Sequence, residues 1–343
     1  YPSDHYPIIA DVIIDINIGL FPTYIDFTNI VGKDKINLSF ALRNFLCTVS
    51  LKDYIRSGFF EKDIIKVSKM LAKSKRYSEV MVSNYVYKLT DVEQFGAITF
   101  VMPDKTKFVS FLGTDDELVA WFEDFNMVHQ FPVPAQKDAI KYLNKVISIF
   151  DKKVYVGGHS KGGNLALVAT MYCNPFKRMK VKRIISLDGP GLRYKEINSK
   201  KFKRVEGRYE HIIPNYSIIG LLLRNNGKHK IVKSNTLTPA SHSMFEWLLD
   251  DDKLHLTKLC SVSSKLEKSI IMWLDEHNDV TRREMVYRVF SAIRDAGITN
   301  TKHFLSLKNL YNLIKNIHGL DQGTKKLLMD FFRFNLGYVV KTK

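Results

Sequence analysis

Residues 153–164 read Lys-Val-Tyr-Val-Gly-Gly-His-Ser-Lys-Gly-Gly-Asn, and no other stretch constrains the fold as tightly. A β-branched and aromatic run stops at glycines and reopens as a helical pattern over residues 161–173, followed by a second strand pattern at 181–187. Strand, tight turn, helix and strand make a βαβ crossover. The two strands are then parallel, with the helix on one face of their sheet.

Gly158-x-Ser160-x-Gly162 has the form of a nucleophile elbow. Its turn is so tight that the serine takes a strained backbone, and the residues two places before and after it must lack side chains for strand and helix to approach. The hydroxyl of Ser160 is thereby offered at the positive end of a helix, where the Lys161 N–H can receive a developing oxyanion. A glycine-rich turn that only packs closely, or that cradles a phosphate, has the same local form. No GxGxxG or GKS/GKT arrangement accompanies it.

Around this unit the chain divides by texture. Residues 1–20 read either as the remnant of an upstream domain or as a chance likeness to one, and 21–93 as a mostly helical part of the same domain as the elbow. Residues 94–252 form its α/β core and 253–343 a helical appendage. In the core, 97–102 and 108–112 read as a hairpin, and 117–128 and 135–150 as helices. Beyond about residue 253 helical periodicity takes over at 263–277, 281–296, 306–317 and 324–334. The expected class is an α/β-hydrolase fold with a mostly parallel central sheet flanked by helices, plus the C-terminal helices. These could serve as a lid, a dimerisation surface or a membrane-resting element; residues 331–336 mix aromatics with a cation in the manner of an interfacial helix, although core packing is the commoner fate of such a stretch.

A serine nucleophile needs a base and an orienting acid, which in this fold class follow in the order Ser, acid, His. Asp188 opens Asp-Gly-Pro-Gly directly after the 181–187 strand, at the carboxyl edge where such sheets place their sites; an Asp that merely starts a turn would look alike. His242, in Ser-His-Ser after the strand-like run 229–233, is the expected base, with a capping role as the alternative. His159 is expected to point away from the nucleophile. Gly113-Thr114 ends the 108–112 strand, so the Thr114 N–H and hydroxyl are candidates for the second oxyanion donor. No metal or cofactor is expected.

At these residues the sequence resembles the class 3 lipase branch of the α/β-hydrolases: Phe111-Leu112-Gly113-Thr114, Trp121-Phe122-Glu123-Asp124-Phe125, and Gly158 to Asn164 carry the likeness. Within that branch, the elbow, the stretch at 188–191, and 214–222 followed by Ser241-His242 resemble a widespread bacterial family of uncharacterised function usually called lipase-like. The resemblance implies a Ser-His-Asp hydrolase acting on lipid or other esters, with Ser160, Asp188 and His242 at matching positions. Three positions depart from it. Leu112 stands where fungal relatives carry Arg, so a salt bridge under the oxyanion loop is expected to be missing. Lys161 replaces a small apolar residue and is expected to put a cation beside the oxyanion site. Ser217 stands where those relatives place the acid, leaving Asp188 for that role, as in pancreatic-type lipases. Residues 2–11 separately resemble the terminal strand of the endonuclease/exonuclease/phosphatase family, too short to form that family's metal site alone.

Lys and Arg number 52 against 35 Asp and Glu, a formal charge of +17 in 343 residues. Such a surplus attracts anionic matter and is silent about fold. With Lys161 it favours an anionic amphiphile, a phospholipid or lysophospholipid, as substrate, and peripheral contact with an anionic membrane; nucleic acid is the less expected partner. The rival reading is an inactive hydrolase scaffold that binds membrane or nucleic acid through this basic surface. Three cysteines (Cys47, Cys173, Cys260) without CxxC spacing exclude a disulfide framework and point to a reducing, cytoplasmic compartment.

Overall fold

The computed structural model describes residues 21–48, 54–55, 61–226, 229–251, 253–300, 303, 307–316, 322–323 and 325. The segment at 2–11, the aromatic stretch at 331–336 and most of the 324–334 helix lie outside these.

An eight-stranded sheet runs through the molecule, its strands adjacent in the order in which the chain makes them: β1 (Ile36–Asn37), β2 (Met81–Leu89), β3 (Gln94–Val101), β4 (Lys107–Phe111), β5 (Val154–His159), β6 (Val181–Leu187), β7 (Tyr209–Pro214) and β8 (Lys230–Val232). β1 to β4 are antiparallel to their neighbours and β4 to β8 parallel. The β3–β4 hairpin turns where Asp104 accepts hydrogen bonds from the N–H and hydroxyl of Thr106, both at 2.8 Å. Parallel pairing demands crossovers, and helices supply two of them. Following α1 (Leu38–Leu46) and α2 (Glu61–Lys73), α3 (Leu118–Asn126) and α4 (Pro134–Val146) join β4 to β5, and α5 (Lys161–Tyr172) joins β5 to β6. The β6–β7 link carries only short turns such as Tyr194–Ile197 and Lys200–Lys203.

Alternation along the strands splits the core in two. Phe108, Ile185 and Leu187 pack with Phe27, Phe45 and Leu71 of the N-terminal segment. Val109, Val156 and Ile184 point to the other face, against Leu143 of α4 and Leu167 of α5. The elbow is therefore held in a three-layer sandwich, with α/β-hydrolase architecture. A third cluster packs α6 (Ser261–Glu276) and α7 (Asp279–Asp295) through Ile270, Trp273 and Phe290 onto Met127, Val133, Tyr216 and Leu223. α8 (Leu307–Asn316) completes this C-terminal group. Among the described residues no helix is long and apolar enough to cross a membrane.

Candidate active site

β5 ends at His159 and α5 begins at Lys161, so a single residue makes the turn. Ser160 takes φ 55° and ψ −132°, a left-handed region that non-glycine residues avoid. Its N–H donates to the Leu187 carbonyl and its own carbonyl accepts from Gly163 N–H, each at 2.9 Å. The glycines are required by contact. A Cβ on Gly158 would overlap the main chain of Gly162, and one on Gly162 would overlap the Phe111 carbonyl.

Asp188 follows β6, fully buried, with φ 47°. Its Oδ2 meets His242 Nδ1 at 2.6 Å, and its Oδ1 accepts from the Ser217 hydroxyl at 2.6 Å and from Gly220 N–H at 3.1 Å. Three donors satisfy a carboxylate that has lost all contact with water, as burial demands. Ser217, read from sequence as a departure, is thus a direct support of the acid. His242 ends the turn Pro239–His242, which Thr238 caps by accepting from Ala240 N–H. The Ser241 hydroxyl donates to the Tyr216 carbonyl, and Trp247 Nε1 to the Ser241 carbonyl at 2.9 Å, so the histidine loop is pinned on both sides. The structure therefore brings Asp188 and His242 into contact across the edge that carries Ser160. Among the described residues no hydrogen bond joins the Ser160 hydroxyl to His242; in unliganded sites such bonds are commonly long and tighten on binding.

His159 corrects the expectation that it points away from the site. Its ring lies 4.4 Å from that of His242, centroid to centroid, its Nε2 is 2.9 Å from the His242 carbonyl oxygen, and its Nδ1 is 2.9 Å from the Tyr24 hydroxyl. Burial holds this imidazole well below the usual histidine range and so neutral, with the charge of His242 acting in the same direction. A carbonyl only accepts, so Nε2 carries the proton and Nδ1 accepts from Tyr24. The Tyr24 hydroxyl in turn receives the Gly113 main-chain N–H, and burial pushes its titration up. One buried phenol thus links the strand end before Thr114 to the histidine that stacks on His242.

The side chains of Thr114 and Lys161 depart from the roles expected of them. The Thr114 hydroxyl donates to Asp124 Oδ2 and is not free to face a reacting oxygen. Lys161 is completely buried; its ammonium donates to the Gln94 carbonyl at 2.9 Å and to Glu123 Oε2 at 3.3 Å, with Asp124 Oδ1 at 3.7 Å. Two carboxylates consume the charge beneath the loop, so it adds no free cation to the oxyanion site. The main-chain N–H groups of Thr114 and Lys161 have no protein acceptor among the described residues. Leu112 is buried against Gly96, and the loop it leads into is held by Tyr24, Asp124 and Lys161.

A cavity of about 90 Å³ opens beside Ser160 and Thr114. Its walls are Trp121 and Phe125 of α3, Pro190, Leu223, and residues of α6 and α7 such as Ile270, Trp273, Met285 and Val289. The C-terminal helices are thereby placed over the serine as a cap. Among the described residues Asp124 is the one carboxylate lining the cavity, its titration pushed up to about 6 by burial against the opposing pull of Lys161. Among the described residues no group of three or more His, Cys, Asp or Glu is arranged to hold a metal ion.

Among solved structures, a crystal structure of M37 lipase is similar at 16% identity over 47% of this chain, with a TM-score of 0.33. The chain spans 63% of that protein's length. A fungal lipase–inhibitor complex, described as a model for interfacial activation in lipases, is similar at 15% identity over 55% of this chain and 76% of its own, with a TM-score of 0.37. Nothing among curated proteins matches. The Mbeg1-like family model matches residues 71–291, from the end of α2 through the sheet, the elbow, Asp188, His242 and most of the capping helices, and the chain belongs to the Mbeg1-like family.

Proposed function

We propose that the protein is a serine ester hydrolase acting on esters with an apolar acyl group, lipid esters among them. The observation that carries this reading is the 2.6 Å contact between Asp188 and His242 Nδ1 at the sheet edge where Ser160 is held in a strained elbow.

Asp188 fixes the His242 tautomer, leaving Nε2 as the proton acceptor. As the Ser160 oxygen attacks the ester carbonyl carbon, its proton passes to Nε2 and the carbonyl π pair moves onto oxygen. The N–H groups of Thr114 and Lys161 are the donors for that oxyanion. Collapse of the tetrahedral intermediate expels the alcohol, which takes the proton from Nε2, and leaves an acyl-serine. Water, deprotonated by the same nitrogen, releases the acid. The cavity supports the substrate class: its walls are almost wholly apolar, and 90 Å³ accommodates several methylene groups where one water needs roughly 10–15 Å³.

Hydrolysis of p-nitrophenyl butyrate tests this. The wild type should show a pre-steady-state burst, Ser160→Ala and His242→Ala should fall to background, and Asp188→Asn should lose about three to four orders of magnitude in kcat. A Ser160→Ala variant as active as the wild type would end the proposal.

A further inference from the structure

Ser160 lies where β4, β5 and β6 finish, whereas the edge at which these strands begin carries a surface of different character. Two segments meet there, residues 144–153, from the last turn of α4 to the start of β5, and 174–183, which run into the first residues of β6. They are tied together: Asn174 N–H donates to Asn144 Oδ1 at 2.8 Å, the Lys177 ammonium to the Asn144 carbonyl, and Val154 N–H to the Lys180 carbonyl at 3.0 Å. Within the two segments stand eight Lys and Arg residues and one carboxylate, Asp151, which Lys107 neutralises at 2.8 Å. Arg183 is paired with Glu210 at 2.6 Å. Lys145, Lys152, Lys177, Arg178, Lys180 and Lys182 meet no carboxylate among the described residues.

The same edge exposes large apolar side chains: Phe150 is 86% exposed, Phe176 69%, Met179 65% and Ile149 52%. Scattered single apolar residues are ordinary on a surface, but four on two hydrogen-bonded loops, set among uncompensated cations, mark an interaction site. Charge complementarity selects the occupant. A second copy of the chain would set like charge against like charge. A nucleic acid would satisfy the cations and leave Ile149 and Met179 without an apolar partner. An anionic lipid surface satisfies both, because ammonium groups meet headgroups while the apolar tips reach the acyl boundary.

We infer that this edge is a docking surface for anionic membranes. A six-residue strand spans roughly 20 Å at about 3.3 Å per residue, so a protein docked here carries the mouth of the Ser160 cavity on the side away from the bilayer. Docking is then independent of ester hydrolysis, and the two can fail separately.

The test uses the full chain carrying Ser160→Ala, so that no vesicle lipid is consumed, in co-sedimentation with phosphatidylcholine vesicles made with and without phosphatidylserine. Binding to the phosphatidylserine vesicles alone is expected. Lys152→Gln, Lys180→Gln and Lys182→Gln together should weaken it by roughly a hundredfold, at about fivefold per cation. Phe150→Ser with Met179→Ser should weaken it by about tenfold, without a change in thermal melting since both side chains are exposed. Equal binding to both vesicle types, no binding at all, or variants that bind like their parent would overturn the inference. So would failure to bind vesicles together with tight binding of a single-stranded oligonucleotide that the Lys→Gln set abolishes and Phe150→Ser leaves unchanged, an outcome that assigns the surface to nucleic acid.

Discussion

Ser160, Asp188 and His242 were legible because each is announced by its neighbours: glycines at fixed spacing, a strand that ends in Asp-Gly-Pro-Gly, and a Ser-His-Ser after the last strand-like run. Tyr24 was not. It lies 135 residues from His159, and nothing in its own surroundings says that its hydroxyl will meet that imidazole at 2.9 Å. Tyr24→Phe leaves His159 Nδ1 buried and unpaired. Urea unfolding should therefore show a loss of about 1–3 kcal/mol, and kcat for p-nitrophenyl butyrate should fall about tenfold at unchanged KM as His242 loses its backing. Unchanged stability and kcat would mean that the Tyr24–His159 contact is incidental to the site. The Lys161 side chain is illegible in the sequence for a related reason. Its backbone position follows from the turn, whereas the course of its long side chain depends on Glu123 and Asp124, which α3 brings in from elsewhere in the chain.

Among the elements, those whose pattern is local are legible: β6 and α5 fall within a residue of the predicted ranges. β2 and β7 carry no such local signal. In β2 the pairing register shifts between Ser83 and Val86, where Asn84 adopts φ 55°, and the alternation that announces a strand is broken. β7 is an inner strand carrying Glu210 and His211; its charge is acceptable only because Arg183 on β6 and Lys230 on β8 flank Glu210 at 2.6 and 2.9 Å, information held in two other segments. α3 adds a pH dependence of its own. The native Asp124 carboxyl keeps its proton up to about pH 6, whereas the unfolded chain releases it near the ordinary value of 3.8. Between those values the folded state binds more protons than the unfolded one, so this group lowers stability as pH rises. The loss should be roughly 2–3 kcal/mol, and Asp124→Asn, which keeps an acceptor for Thr114, should flatten that part of the stability–pH curve. A curve unchanged by the substitution would contradict the assignment.

At the scale of the whole molecule, the sequence marked the C-terminal segment as helical without saying what it covers, since an amphipathic stripe does not name its partner. The structure lays α6 and α7 across the serine cavity. On the proposed reading substrate selection belongs to the cap: Ile270→Trp should lower kcat/KM for p-nitrophenyl octanoate by about a hundredfold, the worth of three to four methylenes no longer buried, and leave the acetate ester unaffected. Equal losses on both esters would show that the cap supports the fold without sorting acyl chains. On the proposed reading, sheet, elbow and pinned histidine loop together activate one serine. Labelling the folded protein with a fluorophosphonate and locating the adduct by peptide mass tests it most directly. One adduct is expected, on Ser160, lost in Ser160→Ala and strongly slowed in His242→Ala and Asp188→Asn. A folded wild-type protein that takes no label, or takes it on another residue, would contradict it.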